Sequence, residues 1–193
     1  MTEVQTLTEA DFHAPDIQGD LIALINDYSR KRPRSLQKRI GPSEVGTPCM
    51  RQLACKIVEL DRINPEYDSA PSFMGSAIHA EMEKVIKHGH VIGADHFLSE
   101  VAVEVWPGLT GHCDLVDLRA PMTVLDFKFP GNYRLEKYQK EGPSQLYRTQ
   151  VHLYARGLRR AGLPIERVAI WFAGRDKTWN SGYYWTEPYD DSI

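Results

Sequence analysis

No stretch of about 18 consecutive apolar residues occurs in the 193-residue chain, so no segment reads as a membrane-spanning helix. Cysteine is scarce: Cys49, Cys55 and Cys113 form no CxxC pair, which argues against a disulfide frame or a zinc ribbon. Reduced thiols in a cytoplasmic setting are the expectation. Internal repeats are missing, as are long low-complexity tracts. The opening "MTEVQTLTEADFHAPD" is acidic and polar, unlike a secretory signal. The net charge of −3 points to no partner by itself. What is present is ordinary soluble composition, 42% apolar and 25% charged, in a length that suits one compact domain with a small appendage.

Charge is uneven along the chain. "RKRPRSLQKR" carries six basic residues, Arg30, Lys31, Arg32, Arg34, Lys38 and Arg39, with no acid between Asp27 and Glu44. Such a run suits a phosphate backbone, and it equally suits a solvated linker.

Hydrophobic periodicity divides the rest. Leu21, Ile22, Leu24, Ile25 and Tyr28 form a helical stripe that Pro33 ends. "GPSEVGTP" reads as a turn with a capping serine, followed by a helix from Met50 to Leu60 with Leu53, Ile57 and Leu60 on one side. Ser72 is expected to cap a helix running to Lys87, with Ile78, Met82, Val85 and Ile86 as its buried stripe. Three strands follow, in "LSEVAVEVW", "GHCDLVDL" and "TVLDFKF". A helix with Pro143 in its first turn then precedes the strands "VAIWFA" and "YYWTE". The expectation is an α+β mixed fold, its three-strand antiparallel meander under two helices and its sheet extended by the last strands. Residues 1–72 form an arm and helical extension and 73–193 the core.

Within "TVLDFKFPG", Asp126 and Lys128 share one strand face while Leu125, Phe127 and Phe129 share the other. A three-residue loop, Arg119 to Pro121, would pair Leu118 with Met122, Val116 with Val124 and Asp114 with Asp126, and set His112 opposite Lys128. Opposed carboxylates repel, more so as the local dielectric falls. Lys128, a shared proton or a divalent cation such as Mg²⁺ or Mn²⁺ could offset that repulsion, and so could full solvation of the face. His79 sits at the edge of a helical stripe, as a hydrogen-bonded core residue or a metal ligand. Glu83, one turn on, is a solvated helix acid or a further carboxylate. Gln150 interrupts the apolar face of Tyr147, Val151, Tyr154 and Leu158, where a buried amide needs partners. Tyr183, Tyr184 and Trp185 alternate as sheet core, although such rings also stack on single-stranded bases.

His79, "GHCD" with Asp114, "LDFK" with Asp126 and Lys128, and "QVHLY" with Gln150 and Tyr154 stand in the order of the RecB-like branch of the PD-(D/E)XK nucleases, and the chain resembles that family over residues 73–173. "GPSEVGTPCMRQLACKIVEL" is similar to a segment upstream of that core in relatives, through Ser43, Cys49 and Arg51. The resemblance implies a restriction-endonuclease-like core, with a central mixed sheet of about four to five strands flanked by helices. It implies a free-standing, phage-type exonuclease that hydrolyses DNA, linear duplex or single strand, with Mg²⁺ or Mn²⁺, in recombination, repair or replication. Asp114, Asp126, His79 and the backbone carbonyl of Phe127 would hold the metal, with Glu83 as a further candidate. Lys128 would activate water and stabilise charge, and Gln150 and Tyr154 would position the motif. Arg30, Lys31, Arg32, Arg34, Lys38, Arg39, Ser43 and Arg51 would contact DNA backbone. Some relatives carry an iron–sulfur cluster on one upstream and three C-terminal cysteines; none follows Cys113 here, so no cluster is expected. A non-catalytic DNA-binding subunit and a structure-specific endonuclease are the competing readings, and an oligomer or a recombination partner is compatible with each.

Overall fold

Alternating apolar residues and, in one central strand, a continuous apolar run build a five-stranded sheet in the computed structural model, which describes residues 16–32, 39–60 and 69–193. Its strands are β1 (Phe97–Trp106), β2 (Leu109–Asp117), β3 (Thr123–Lys128), β4 (Arg167–Phe172) and β5 (Tyr183–Pro188), in the order β1-β2-β3-β4-β5. β1, β2 and β3 form the expected antiparallel meander; β4 runs parallel to β3, and β5 antiparallel to β4. The β3-to-β4 crossover holds two helices, α5 (Asn132–Glu141) and α6 (Gln145–Arg160). Parallel neighbours require such a crossover. Three-dimensionally this is a mixed α/β architecture, a mixed sheet with helices on both faces.

α6 covers one face. Val151, Tyr154, Ala155 and Leu158 pack with Val103, Val105, Cys113, Val116, Val124, Ile170 and Phe172. Ser144 caps the helix by accepting from the Tyr147 N–H, so Pro143 lies outside its first turn. Gly157 permits close approach to β1: a Cβ there would lie 2.3 Å from Val103 Cγ1. α4 (Ala70–Val91) covers the other face, where Ile78, Met82 and Ile86 meet Leu115, Phe127, Phe129 and Ala173.

The β2–β3 register agrees with expectation at Val116–Val124, but the ladder closes at Asp117–Thr123, short of Leu118–Met122. The chain between has other partners. Leu118 N–H donates to His96 O, Asp117 accepts from Arg119, and Met122 O accepts from Glu166 and Arg167 N–H.

A larger departure lies at the opposite end of that hairpin. On β1, Val101, Val103 and Leu98 all pack on the α6 side; on β2, so do Cys113 and Val116, while Leu115 packs on the α4 side. Strict alternation would forbid an odd step between residues of one face. The pleat therefore slips by one residue in both strands at the facing pair Glu100 and Asp114, and Glu100 adopts φ 50°. A left-handed non-glycine residue inside a strand is rare and marks local strain. The single face expected for His112, Asp114 and Val116 is thus broken between Asp114 and Val116.

The N-terminal helices depart further. α1 (Ile17–Lys31) and α3 (Met50–Ile57) bury no residue. Ile57 and Leu60, expected on a packed side, are 63% and 62% exposed. "GPSEV" is no serine-capped turn but a one-turn helix, α2 (Pro42–Val45), in which Glu44 accepts from the Gly41 N–H. α4 begins at Ala70 behind Ser69, three residues before the expected cap Ser72, because Pro71 fits its first turn. Val85 is exposed, since the sheet reaches only the Ile78, Met82 and Ile86 side of α4. α5 escapes the periodicity reading because it buries a single residue, Leu135. Among the described residues, no helix is long and apolar enough to cross a membrane.

Candidate active site

β3 projects Asp126 and Lys128 toward α6, as its alternation requires. Asp126 is 2% exposed. Lys128 Nζ stands 2.5 Å from Asp126 Oδ2, 3.3 Å from Gln150 Oε1 and 4.7 Å from the centre of the Tyr147 ring. Gln150 Nε2 donates to Asp126 Oδ1 at 2.8 Å and to the Tyr154 hydroxyl at 3.2 Å. Gln150 and Tyr154 meet because they lie one turn apart on α6. The polar break in the α6 face is therefore occupied by the β3 acid, and the buried amide is satisfied on both atoms.

Burial pushes the Asp126 carboxyl up to about 6, against the downward pull of Lys128. Burial alone would lower Lys128, but the Asp126 and Asp114 carboxylates outweigh it and raise its pKa, so the ammonium persists at neutral pH. Tyr154 is raised by burial first and by Asp126 second, and stays a phenol.

The second cluster lies on the α4 side. His79 Nδ1 is 3.2 Å from Asp114 Oδ1, and Asp114 Oδ2 accepts from the Phe127 N–H at 2.6 Å. A side chain thus takes a backbone donor just where the β2–β3 pairing ends at Leu115–Leu125. Glu100 joins them: single donor atoms of His79, Glu100 and Asp114 all lie within 4.8 Å of one another. Burial opposes protonation of His79, yet its bond to Asp114 raises it overall. Burial raises Glu100, with Asp114 and Glu83 adding to the shift.

Asp114 and Asp126 therefore do not share a face. The pleat slip turns Asp114 toward α4, and Phe127 links the two clusters, bonding Asp114 through its N–H and flanked by Asp126 and Lys128. Glu83 is not in the cluster; its carboxylate bonds Lys87 Nζ at 2.6 Å. Glu100 was not among the expected residues. Its signal in the sequence is the three-residue step from Leu98 to Val101 in a strand that otherwise alternates.

The donor set fits a divalent cation. It offers one imidazole and two carboxylates, suited to Mn²⁺ or Mg²⁺. Next to it, Asp126 Oδ2 is buried without a properly directed hydrogen bond, although Lys128 lies within ion-pair distance.

The candidate DNA contacts are dispersed. Arg30, Lys31 and Arg32 end α1, where Lys31 pairs with Asp27 at 2.8 Å and Arg32 lines a cleft with Tyr28 and Phe73. Arg39 is exposed, and Arg34 and Lys38 fall outside the described residues. Ser43 lies in α2, whose Pro42 abuts Gly111 beside Tyr154. Arg51 is exposed on α3, which Lys56 ties to α2 through Glu44 at 2.6 Å and 2.7 Å.

The sequence matches no protein-family model and no curated protein. Solved structures do match. SSO0001 superposes with a TM-score of 0.55 at 17% identity, covering 92% of this chain and 81% of that one. An alkaline exonuclease, LHK-Exo from Laribacter hongkongensis, superposes at 0.52 and 14% identity, covering 80% and 79%. LHK-Exo in complex with dAMP gives the same score and identity, covering 80% of each chain. At such identities the likeness is one of fold: the chain has a fold found in a nuclease.

Proposed function

We propose that this protein is a divalent-metal-dependent deoxyribonuclease of the PD-(D/E)XK type, acting as an exonuclease. The observation that carries this reading is the buried Asp126–Lys128 pair set against the His79, Glu100 and Asp114 cluster, on a fold shared with an exonuclease. Phosphodiester hydrolysis needs a nucleophile at neutral pH and stabilisation of growing negative charge. A bound Mg²⁺ or Mn²⁺ would supply Lewis acidity and a lowered pKa for water. His79, Glu100, Asp114 and Asp126 would hold it.

The chain's own residues do the rest. Lys128, kept charged by two carboxylates, offsets charge on the phosphoryl oxygens as water oxygen bonds to phosphorus and the bond to the leaving oxygen breaks. Gln150 holds Asp126 Oδ1, while Oδ2 pairs with the Lys128 ammonium, and the carboxylate so fixed would help to hold the cation. Tyr154 anchors Gln150 from the next turn of α6. Arg51 and the basic residues from Arg30 to Arg39 would draw in the polyanion without reading sequence.

End-labelled linear DNA, duplex and single-stranded, digested with Mg²⁺ or Mn²⁺ and with EDTA as control, tests the reading. Asp126→Ala and Lys128→Ala are expected to abolish cleavage while DNA binding stays measurable. Cutting at the wild-type rate by either variant would refute the site. Covalently closed DNA separates an exonuclease from an endonuclease, and metal-independent binding with no cleavage of any substrate would favour a non-catalytic DNA-binding subunit.

A further inference from the structure

An indole left in water keeps a large apolar surface unburied, and Trp179 is 61% exposed on a single 3-10 turn, Trp179–Ser181. Its ring tilts against Trp171 of β4, centroids 5.7 Å apart. Trp171 in turn meets Phe127 edge-on at 5.9 Å, and Phe127 lies 6.4 Å from the His79 ring. The rings thus step outward from the metal-type cluster to the surface. Strand register extends the row: Phe127 faces Trp171, and Trp171 faces Tyr184, which is 53% exposed. Tyr184 is the one residue of the "YYW" run that leaves the core, since Tyr183 and Trp185 pack on the α6 side.

The loop that carries Trp179 is held firmly. Arg175 Nε donates to Phe129 O at 2.6 Å, and its N–H to Pro130 O at 3.2 Å. Gly182 N–H donates to Trp179 O at 3.1 Å. A Cβ on Gly182 would stand 2.7 Å from Trp171 Nε1, so only glycine lets the loop close over that indole. A platform already ordered loses little freedom on binding. The same loop exposes Arg175 and Lys177, while its acid, Asp176, accepts from the Asn132 amide at 2.6 Å.

Flat rings beside cations, continuous with a cluster suited to phosphodiester cleavage, fit one occupant. Unpaired bases present π-faces to such rings and phosphates to the cations. A duplex hides its base faces except at its ends. A protein partner would leave the continuity of the rings with the site unexplained. Resting on the nuclease reading above, we infer that Trp179 and Trp171, flanked by Tyr184, form a stacking shelf for the unpaired bases of a DNA strand, with Arg175 and Lys177 against its backbone.

Fluorescence anisotropy in EDTA, where no turnover occurs, tests this with a labelled oligothymidylate and a blunt duplex of equal length. Trp179→Ala is expected to weaken oligothymidylate binding about tenfold and to change duplex binding less than about twofold. Trp179→Phe should recover most of the loss, and Tyr184→Leu should cost a smaller factor, each with an unchanged circular dichroism spectrum. Lys177→Ala should lower the salt slope of single-strand binding by roughly one. The shelf is refuted if the wild type ignores oligothymidylate, if Trp179→Ala binds it as the wild type does, or if both substrates weaken alike. Dissociation of an oligomer by Trp179→Ala in sedimentation would also refute it, by assigning the face to a second copy. A protein that cleaves DNA without regard to Trp179 loses the shelf alone. One that binds oligothymidylate through Trp179 but never cleaves loses the hydrolytic reading alone.

Discussion

α1 and α6 have 15 and 16 residues and each carries an apolar stripe, yet α6 buries eight residues and α1 none. The difference lies in what each helix faces. α6 lies on a sheet whose inner positions are valine, isoleucine and phenylalanine, and its glycine at 157 lets it sit close. Among the described residues α1 meets α4 at one edge, where Tyr28 lies 6.4 Å from Phe73 and Ser69 donates to Asn26 at 2.7 Å. Periodicity establishes that a helix has a face; only the partner decides whether that face leaves water.

Substitutions can break that comparison. Leu158→Ala, at 2% exposure, should lose about 2–5 kcal/mol in urea unfolding. Gly157→Ala should lose about 1–3 kcal/mol, since its methyl has no room beside Val103. Leu24→Ala, at 66% exposure, should stay within about 0.5 kcal/mol. Equal losses at 158 and 24 would mean that α1 is covered in solution.

The two polar clusters invite a second comparison, between Glu100 and Glu83. Calorimetric titration of Mn²⁺ should find affinity lowered at least about tenfold by Glu100→Gln and nearly unchanged by Glu83→Gln. A reversed result would return Glu83 to the site. Uptake of Mn²⁺ should strengthen as pH rises through about 6, because Asp126 gives up its proton there and His79 somewhat above its ordinary 6.5. The same shift affects stability with a definite sign. A carboxyl raised from 3.8 to about 6 binds more protons folded than unfolded, so its contribution declines as pH climbs across that window. Wild type minus Asp126→Asn, compared by thermal unfolding without metal from pH 4 to 7, isolates it. The smallest expected effect is chemical: Cys49, exposed, should react with a thiol reagent in the native state, while Cys113, buried and pushed up to about 12, should not.

Much of the core could be read from the chain. Alternation and short apolar runs located all five strands, Val116–Val124 fell in register, and the polar interruption at Gln150 lies where Asp126 meets α6. Three features could not be read the same way. The crossover helix α5 buries only Leu135, too little to leave a periodic trace. Strict alternation puts Asp114 on the face of Asp126, whereas the one-residue slip in β1 and β2 turns it toward His79 of α4. Glu100 escapes the reading for the same reason, since the left-handed backbone that places it beside His79 and Asp114 leaves in the sequence only the odd step from Leu98 to Val101. Ile57 and Val85 differ in another way, as apolar residues on helices that stay exposed, and Leu60 lies beyond the end of α3 and is exposed too.

The bond from the Phe127 amide to Asp114 has an experimental use. One oxygen of that carboxyl grips the strand carrying Asp126 and Lys128, while the other is turned to His79. Any ion that tugs on the second oxygen must be felt by the first. The Phe127 amide is thus a built-in reporter: its nitrogen resonance and its deuterium exchange should register cation arrival without label, substrate or turnover.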